Sequence, residues 1–189
     1  MTIKLLAISG SARQDSLNAR LLAAAIRVAQ GLDAEVTELD LRALDLPLYD
    51  GDLEDRMGLP AGCITLKNAL LNSHALLVAS PEYNGFFSPL LKNAIDWASR
   101  PQEGKPTPFA GKVAALLAAS PGALGGVRGL PSVRLLLSNL GVLVTPSQMS
   151  LPNAHAAFDT QGELTSAAQQ QMLQQVLSDL LRTAQAVQR

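Results

Sequence analysis

The stretch ISGSARQDSLNAR, residues 8–20, decides the fold. An apolar run at residues 3–8 leads into it, and the apolar positions of a helix follow it from Leu21 onward. Between them lies a strand-to-helix turn of serines, an arginine and an asparagine, where unpaired N–H groups and the helix dipole attract an anion. The stretch therefore predicts a phosphate cradle. The alternative is an ordinary turn in which Ser16 only caps the helix.

Composition and charge restrict the class of protein. The chain has 189 residues, 48% of them hydrophobic and 16% charged, which favours one domain over residues 1–189. A formal net charge of −1 gives no reason to expect a nucleic-acid or membrane partner. The single cysteine, Cys63, excludes an internal disulfide, and two distant histidines offer no metal-ligand cluster. The first residues form too short an apolar stretch for a signal peptide, so we expect a cytoplasmic protein. Because ligand residues are not clustered, we expect no bound metal.

Apolar runs alternate with helical patterns along the chain. Runs typical of strands occupy residues 3–8, 34–39, 75–79, 113–118 and 142–144, and only the run at 34–39 alternates as an edge strand does. Helical patterns occupy residues 17–30, 60–73, 89–99, 129–140 and 165–187. Long loops are predicted at residues 41–58 and 146–163, with the charges at 50–56 solvated. This alternation predicts a doubly wound, five-stranded parallel sheet with helices on both faces.

Within these helices, the apolar spacing predicts which side chains face the core. Ile64, Leu66, Leu70 and Leu71 form the predicted inward face of the second helix, and Met172 belongs to the apolar stripe of the last helix. Cys63 lies in the same apolar pattern, so we interpret it as a packing residue and not as a nucleophile.

Small polar residues follow three of the predicted strands at the point where each strand ends. They occupy residues 9–11, 80–85 and 120–122. In an open parallel sheet, ligands bind outside the carboxyl ends of the strands, where the strand order reverses. Each stretch alone suits a turn, and Tyr83-Asn84-Gly85 is a good turn sequence in any protein. Together they predict a binding crevice.

The absence of two common nucleotide-binding motifs narrows the class of ligand that the crevice could bind. Neither the dinucleotide fingerprint G-x-G-x-x-G nor the Walker pattern G-x-x-x-x-G-K-[ST] follows the first strand. What remains is a cradle of hydroxyl groups and an arginine for one terminal phosphate. A mononucleotide such as FMN fits this cradle, and the flavodoxin-like strand order 2-1-3-4-5 would place it at the switch point.

Three motifs in this order resemble those of the NADPH-dependent FMN reductase family, which is flavodoxin-like and includes quinone, azo-dye and chromate reductases. The motifs are Gly10-Ser11-x-Arg13-x-x-Ser16-x-Asn18, Pro81-Glu82-Tyr83-Asn84-Gly85 and Leu91-Lys92-Asn93-Ala94-Ile95-Asp96-Trp97. The resemblance runs to about Val144 and so covers most of the chain.

The resemblance implies roles for eleven residues. Those that would hold the FMN phosphate are Ser11, Arg13, Ser16 and Asn18. Those that would run along the isoalloxazine ring, largely through backbone groups, are Pro81, Glu82, Tyr83, Asn84 and Gly85. Ser120 and Gly122 would close the other side. Members of the family are commonly dimers or tetramers, so a homodimer or homotetramer is implied.

The sequence shows no Ser-His-Asp set and no pair of catalytic carboxylates. This agrees with a flavin that carries the hydride chemistry itself, so we expect no catalytic side chain. Beside a turn, Glu82 is expected to be solvated or to cap backbone groups, and not to act as a general base. Four of the seven aromatic residues lie within residues 83–97. They form either a local core cluster or a wall of the flavin pocket that a second subunit extends.

We therefore expect an FMN-dependent oxidoreductase that takes electrons from NADPH or NADH and passes them to a small acceptor such as a quinone. A flavodoxin-type electron carrier that docks to protein partners is an alternative. Such carriers tend to be strongly acidic, and the balance of 15 basic and 16 acidic residues argues against it. A flavin reductase that uses FMN as a substrate, and a scaffold without flavin, also stay open.

Overall fold

The computed structural model describes residues 1–188 and shows a five-stranded parallel sheet in the order β2-β1-β3-β4-β5. The strands are β1 (Lys4–Ser9), β2 (Glu35–Leu39), β3 (Ala75–Ala79), β4 (Val113–Ala119) and β5 (Leu143–Leu151). The helices are α1 (Leu17–Gly31), α2 (Gly51–Met57), α3 (Ala61–Leu71), α4 (Pro89–Ser99), α5 (Leu130–Asn139) and α6 (Ala167–Val187), and a 3₁₀ turn covers Ala154–Ala156. The predicted fold class and strand order are confirmed.

Helices cover both faces of the sheet, which explains why the central strands are continuously apolar. Every residue of β3 and β4 is buried. Successive side chains of a strand point to opposite faces. Leu77 accordingly packs in the core beneath α1 and α6, while Leu76 packs in the core beneath α3, α4 and α5. The edge strand β2, in contrast, has no fully buried residue and alternates as predicted.

The predicted loop at residues 41–58 is wrong, because it contains α2. This helix buries none of its side chains, so it has no apolar stripe for a pattern to reveal. Polar contacts hold it instead: the Asp50 carboxylate caps its first turn, and the Glu54 carboxylate accepts hydrogen bonds from Tyr49 Oη at 3.0 Å and Arg100 Nε at 2.8 Å. The Glu54 side chain is only 18% exposed, so the prediction of a solvated charge is wrong there.

The predicted fifth strand was too short, since β5 continues for nine residues to Leu151. Its polar residues hid the continuation, and the register against β4 shifts between Ala114 and Leu116. At this irregularity Thr145 Oγ1 donates a hydrogen bond to the Ala114 carbonyl at 3.1 Å. Arg134 donates to the carbonyls of Val144 and Thr145, which completes the pairing of this edge.

Two helix positions predicted to face inward do not. Ile64 is 39% exposed and Met172 is 50% exposed, because the residues beside them, Cys63 and Leu173, take the centre of the buried face. Cys63 is fully buried, as its packing interpretation requires, and burial raises the pKa of its thiol. Within residues 1–188 no helix is long and apolar enough to cross a bilayer, and no group of three histidine, cysteine or acidic residues is placed to hold a metal ion.

His74 should make the stability of the fold pH-dependent. Its Nδ1 accepts a hydrogen bond from the backbone N–H of Lys4 at 3.1 Å, and burial, followed by the charges of Lys112 and Lys4, lowers the pKa of its imidazole. A histidine whose folded pKa lies below the unfolded value stabilises the protein only above that unfolded value, near 6.5. The free energy of unfolding should therefore fall as the pH drops from about 7.5 to 5.5, by at most about 1.4 kcal/mol per pH unit from this group.

Urea denaturation of the protein and of His74→Asn across this pH range measures the effect. We expect a flatter dependence in the variant, because its amide oxygen still accepts from Lys4 but does not titrate. Parallel curves for the two proteins would exclude His74 as the source.

Candidate functional site

A crevice of about 360 Å³ opens at the carboxyl ends of β1, β3 and β4. Eight of the eleven predicted site residues line it: Ser11, Arg13, Ser16, Asn18, Pro81, Glu82, Tyr83 and Ser120. Asp15, Leu17, Ala119 and Pro121 complete the lining. Asn84, Gly85 and Gly122 are not among the lining residues. The three loops that the sequence singled out therefore do converge on one site.

The loop after β1 presents hydroxyl groups and one free cation. Its serines accept hydrogen bonds from the backbone: Ser9 Oγ from Ser11 N at 3.3 Å, and Ser11 Oγ from Arg13 N at 3.4 Å. Ser16 caps α1, because its Oγ accepts a hydrogen bond from Ala19 N at 3.1 Å. The capping role predicted for Ser16 is thus confirmed, and it does not exclude a contact with a ligand. Because these oxygens act as acceptors, their hydroxyl hydrogens stay available to an anion. Within residues 1–188 the exposed guanidinium of Arg13 has no carboxylate partner.

Asn18 joins the start of α1 to the end of β4. Its Nδ2 donates to the Ala119 carbonyl and its Oδ1 accepts from the Ala119 N–H, both at 2.9 Å. The side chain is nearly buried, at 4% exposure. Both polar backbone groups of Ala119 are thereby satisfied at a point where the strand has ended. One Nδ2 hydrogen of Asn18 remains for a ligand, since a side-chain amide has two.

A tight hairpin, Tyr83–Phe86, projects beyond β3. Tyr83 N donates to Phe86 O at 2.8 Å, and Phe86 N donates to Tyr83 O at 3.0 Å. The two central residues have positive φ, 53° at Asn84 and 85° at Gly85, as a type I′ turn requires. Asn84 and Gly85 thus shape the loop that carries Tyr83 to the crevice.

Glu82 fastens this hairpin to the turn before α5. Its Oε2 accepts from the backbone N–H groups of Arg128 and Gly129, at 3.0 and 3.3 Å, and its Oε1 accepts from Arg128 Nε at 2.8 Å. The carboxylate is only 9% exposed and is fully engaged by donors. As expected, it caps backbone groups; nothing about its position suits a general base.

A second fastening joins the loops after β1 and β3. Ser88 caps α4 by accepting from Leu91 N, and its hydroxyl donates to the Gly10 carbonyl. A Cβ atom on residue 10 would lie 3.0 Å from Leu91 Cβ and 3.1 Å from Ser88 Oγ, so glycine lets the two loops approach this closely without displacing either side chain.

A segment that the sequence did not point to supports the loop after β4. After β5 the chain turns back, so that Ala154 N donates to Ser120 O at 3.0 Å and Asn153 N donates to Gly122 O at 3.2 Å. Ser120 Oγ accepts from Gly122 N at 3.2 Å, which closes a small turn at Pro121. Gly122 therefore fixes the Ser120 side chain through its backbone N–H and does not itself line the crevice. The sole local signal is Asn153, which suits the left-handed conformation it adopts.

The four clustered aromatic residues do not act as one group. Trp97 is fully buried, packs edge-on against Tyr49 at 5.0 Å, and donates from Nε1 to the Pro47 carbonyl. Tyr83 and Phe86 are 42% and 59% exposed at the crevice side of the sheet. A single local core cluster is thus excluded, while the pocket-wall interpretation stays a prediction.

Comparison with known proteins gives a consistent result. The model of the NADPH-dependent FMN reductase family matches residues 3–156. An NAD(P)H-dependent FMN reductase of Pseudomonas aeruginosa is 38% identical over 180 residues, which cover 94% of this chain and 93% of that protein. An NADPH:quinone oxidoreductase of Arabidopsis thaliana is 34% identical over 189 residues, with coverage of 94% and 90%.

Solved structures agree with the sequence matches. FerB, a flavoenzyme NAD(P)H:(acceptor) oxidoreductase from Paracoccus denitrificans, superposes with a TM-score of 0.85 at 29% identity, over 98% of each chain. The family match over residues 3–156 and the identity to its members, together with a crevice at the strand ends of a β2-β1-β3-β4-β5 sheet, lead to one conclusion: this chain belongs to the NADPH-dependent FMN reductase family.

Proposed function

We propose that this chain binds FMN in the crevice and uses it to pass electrons from NAD(P)H to a small, quinone-type acceptor. One observation carries the proposal: the N-terminus of α1, the unpaired Arg13 guanidinium and the Tyr83–Phe86 hairpin converge on one crevice. Membership in a family of FMN reductases and the Arabidopsis relative, a quinone oxidoreductase, support the same choice.

The residues after β1 fit a phosphate group. Ser11, Arg13, Ser16 and Asn18 would hold it, together with N–H groups at the start of α1. A guanidinium and a helix N-terminus both favour negative charge, and the hydroxyl and amide hydrogens described above supply neutral donors. The cradle needs no metal ion, because its charge comes from Arg13.

The opposite side fits a flat ring. Pro81, Tyr83 and Ser120 line it directly, and Glu82 holds the loop in place. Asn84, Gly85 and Gly122 would act through the turns they shape, largely as backbone. When bound, FMN supplies the hydride chemistry. The chain then orients the ring, and no side chain is needed as a catalytic acid or base.

We further propose that residues 1–189 work as a single FMN-binding domain within a cytoplasmic homodimer or homotetramer. Leu48, which precedes α2, and Met57, its last residue, are 81% and 77% exposed, and a second copy would cover them. A single, buried and unpaired cysteine suits a reducing compartment.

Arg13→Ala should weaken FMN binding far more than Arg27→Ala. Arg13 lines the crevice, whereas Arg27 lies on α1 and pairs with Glu163. Losing a charge-assisted contact with phosphate costs about 1.5–3 kcal/mol, or roughly tenfold to 150-fold in affinity. Fluorescence titration with FMN measures both variants, and an Arg13→Ala protein that binds FMN as tightly as the unaltered protein would remove Arg13 from the cradle.

The steady-state kinetics should be ping-pong. Within residues 1–188 one crevice carries the predicted site, so the donor and the quinone must use it in turn. We expect parallel lines in double-reciprocal plots and inhibition by each substrate at high concentration. Stopped-flow mixing of the FMN-loaded protein with NADPH, and separately with NADH, checks the first half-reaction through loss of flavin absorption.

If neither donor bleaches the flavin at a useful rate, the oxidoreductase proposal fails and the electron-carrier alternative replaces it. Intersecting lines would show that both substrates bind together, against the shared crevice. Flavin absorption that survives desalting would distinguish a bound cofactor from FMN used as a substrate.

A further inference from the structure

A fixed arginine, Arg128, lies in the turn before α5 and pairs with Glu82, a residue that lines the crevice. The Arg128 guanidinium donates to Glu82 Oε1 through Nε at 2.8 Å, and its Nη2 lies 2.5 Å from the same oxygen. Two backbone N–H groups hold the other carboxylate oxygen. The orientation of the guanidinium is therefore set by a carboxylate that is itself immobilised.

The pair is buried on one side only. The Glu82 side chain is 9% exposed, but that of Arg128 is 64% exposed. Glu82 engages Nε and lies against Nη2, which leaves at least three of the five guanidinium N–H donors without a partner among residues 1–188. A solvated surface ion pair would have two mobile side chains, whereas here an immobilised carboxylate holds the arginine.

Exposed apolar side chains lie on the two segments that this pair joins. Tyr83 is 42% exposed on the hairpin, and Leu124 and Val127 are 55% and 37% exposed on the turn before α5. The segments are in close contact, since a Cβ atom on residue 129 would lie 3.2 Å from Phe86 O. An aromatic or aliphatic face beside a fixed guanidinium suits a nucleoside that carries a phosphate.

Arg13 and Arg20, on the other wall, do not compete for this role. Arg13 belongs to the proposed FMN phosphate cradle. Arg20 lies over the ring of Phe158, with its guanidinium carbon 4.6 Å from the ring centroid. Arg128 is thus a guanidinium next to the crevice, held through Glu82, that the proposed FMN phosphate cradle does not use.

We propose that Arg128 binds the 2′-phosphate of NADPH and so determines the preference for NADPH over NADH, with Glu82 as the positioning residue. The proposal rests on the NAD(P)H oxidoreductase function. It adds that the adenosine half of the donor lies along the Tyr83–Phe86 hairpin and the turn before α5. Arg128 alone would then recognise the charge of the 2′-phosphate.

Two measurements on the FMN-loaded protein test it. The first is kcat/KM with NADPH and with NADH for Arg128→Ala and Arg128→Lys. The second is calorimetric binding of adenosine 2′,5′-bisphosphate and of adenosine 5′-monophosphate, which needs no turnover. Arg182→Ala is the matched control, because Arg182 is also exposed and paired with a carboxylate, Asp179, but lies on α6.

We expect Arg128→Ala to lower the ratio of the NADPH to the NADH kcat/KM by about tenfold to 100-fold, mainly through KM, as loss of a charge-assisted phosphate contact implies. The bisphosphate should lose affinity relative to the monophosphate by a similar factor, Arg128→Lys should lose less, and Arg182→Ala should change neither ratio. An unchanged ratio in Arg128→Ala, or an equal loss with both donors, would overturn the proposal. If the unaltered protein oxidises neither donor, the proposed function itself fails, and this outcome is distinct from the others.

Discussion

Both ends of the Asn18 side-chain amide are hydrogen-bonded to the backbone of Ala119, and the form of the crevice depends on this contact. β4 ends at Ala119, so its N–H and carbonyl need partners inside a nearly dry interior, where an unsatisfied group costs about 1–3 kcal/mol. Asn18 satisfies both groups from the first turn of α1. The contact thereby sets the distance between the loop that would hold a phosphate and the strand that would support a flavin ring.

Two further side chains extend this principle to the other loops. The Ser88 hydroxyl links the cap of α4 to Gly10, and the Glu82 carboxylate links the β3 hairpin to the turn before α5. Ser88 acts at the first turn of α4, where backbone N–H groups lack partners within the helix, and Glu82 binds the two N–H groups that directly precede α5. Backbone N–H groups at and before the starts of α4 and α5 thus fasten the loops of the crevice. At the start of α1, in contrast, such groups remain open to an anionic ligand. A frame fixed in this way is arranged before a ligand arrives, which lowers the ordering cost of binding.

Local patterns predicted most of this structure, because strands buried on both faces and amphipathic helices leave a clear signal in an apolar sequence. The flavodoxin-like strand order and most of the crevice residues were predicted from the family resemblance that the sequence motifs carry. The features that the sequence did not predict share one cause, which is that no local apolar pattern marks them. α2 has no apolar face, and β5 continues through polar residues that an edge strand tolerates. The support of the loop after β4 by Asn153 and Ala154 arises only through backbone contacts with Gly122 and Ser120. The Asn18–Ala119 contact spans 101 residues of sequence, and no local pattern connects its ends.

The most direct test of this account replaces Asn18 by aspartate and compares the binding of FMN with that of riboflavin, which lacks the phosphate. The variant keeps an acceptor for Ala119 N, loses the donor to Ala119 O and places negative charge in the cradle. The lost donor should affect both flavins alike, whereas the charge repels only the flavin that carries a phosphate. Fluorescence titration should show FMN losing more than about tenfold in affinity relative to riboflavin, a difference of about 1.4 kcal/mol, while Asn72→Asp, at the opposite end of the sheet, should leave the ratio unchanged. An equal loss for both flavins, or none, in a folded Asn18→Asp protein would contradict the claim that the start of α1 is the phosphate site.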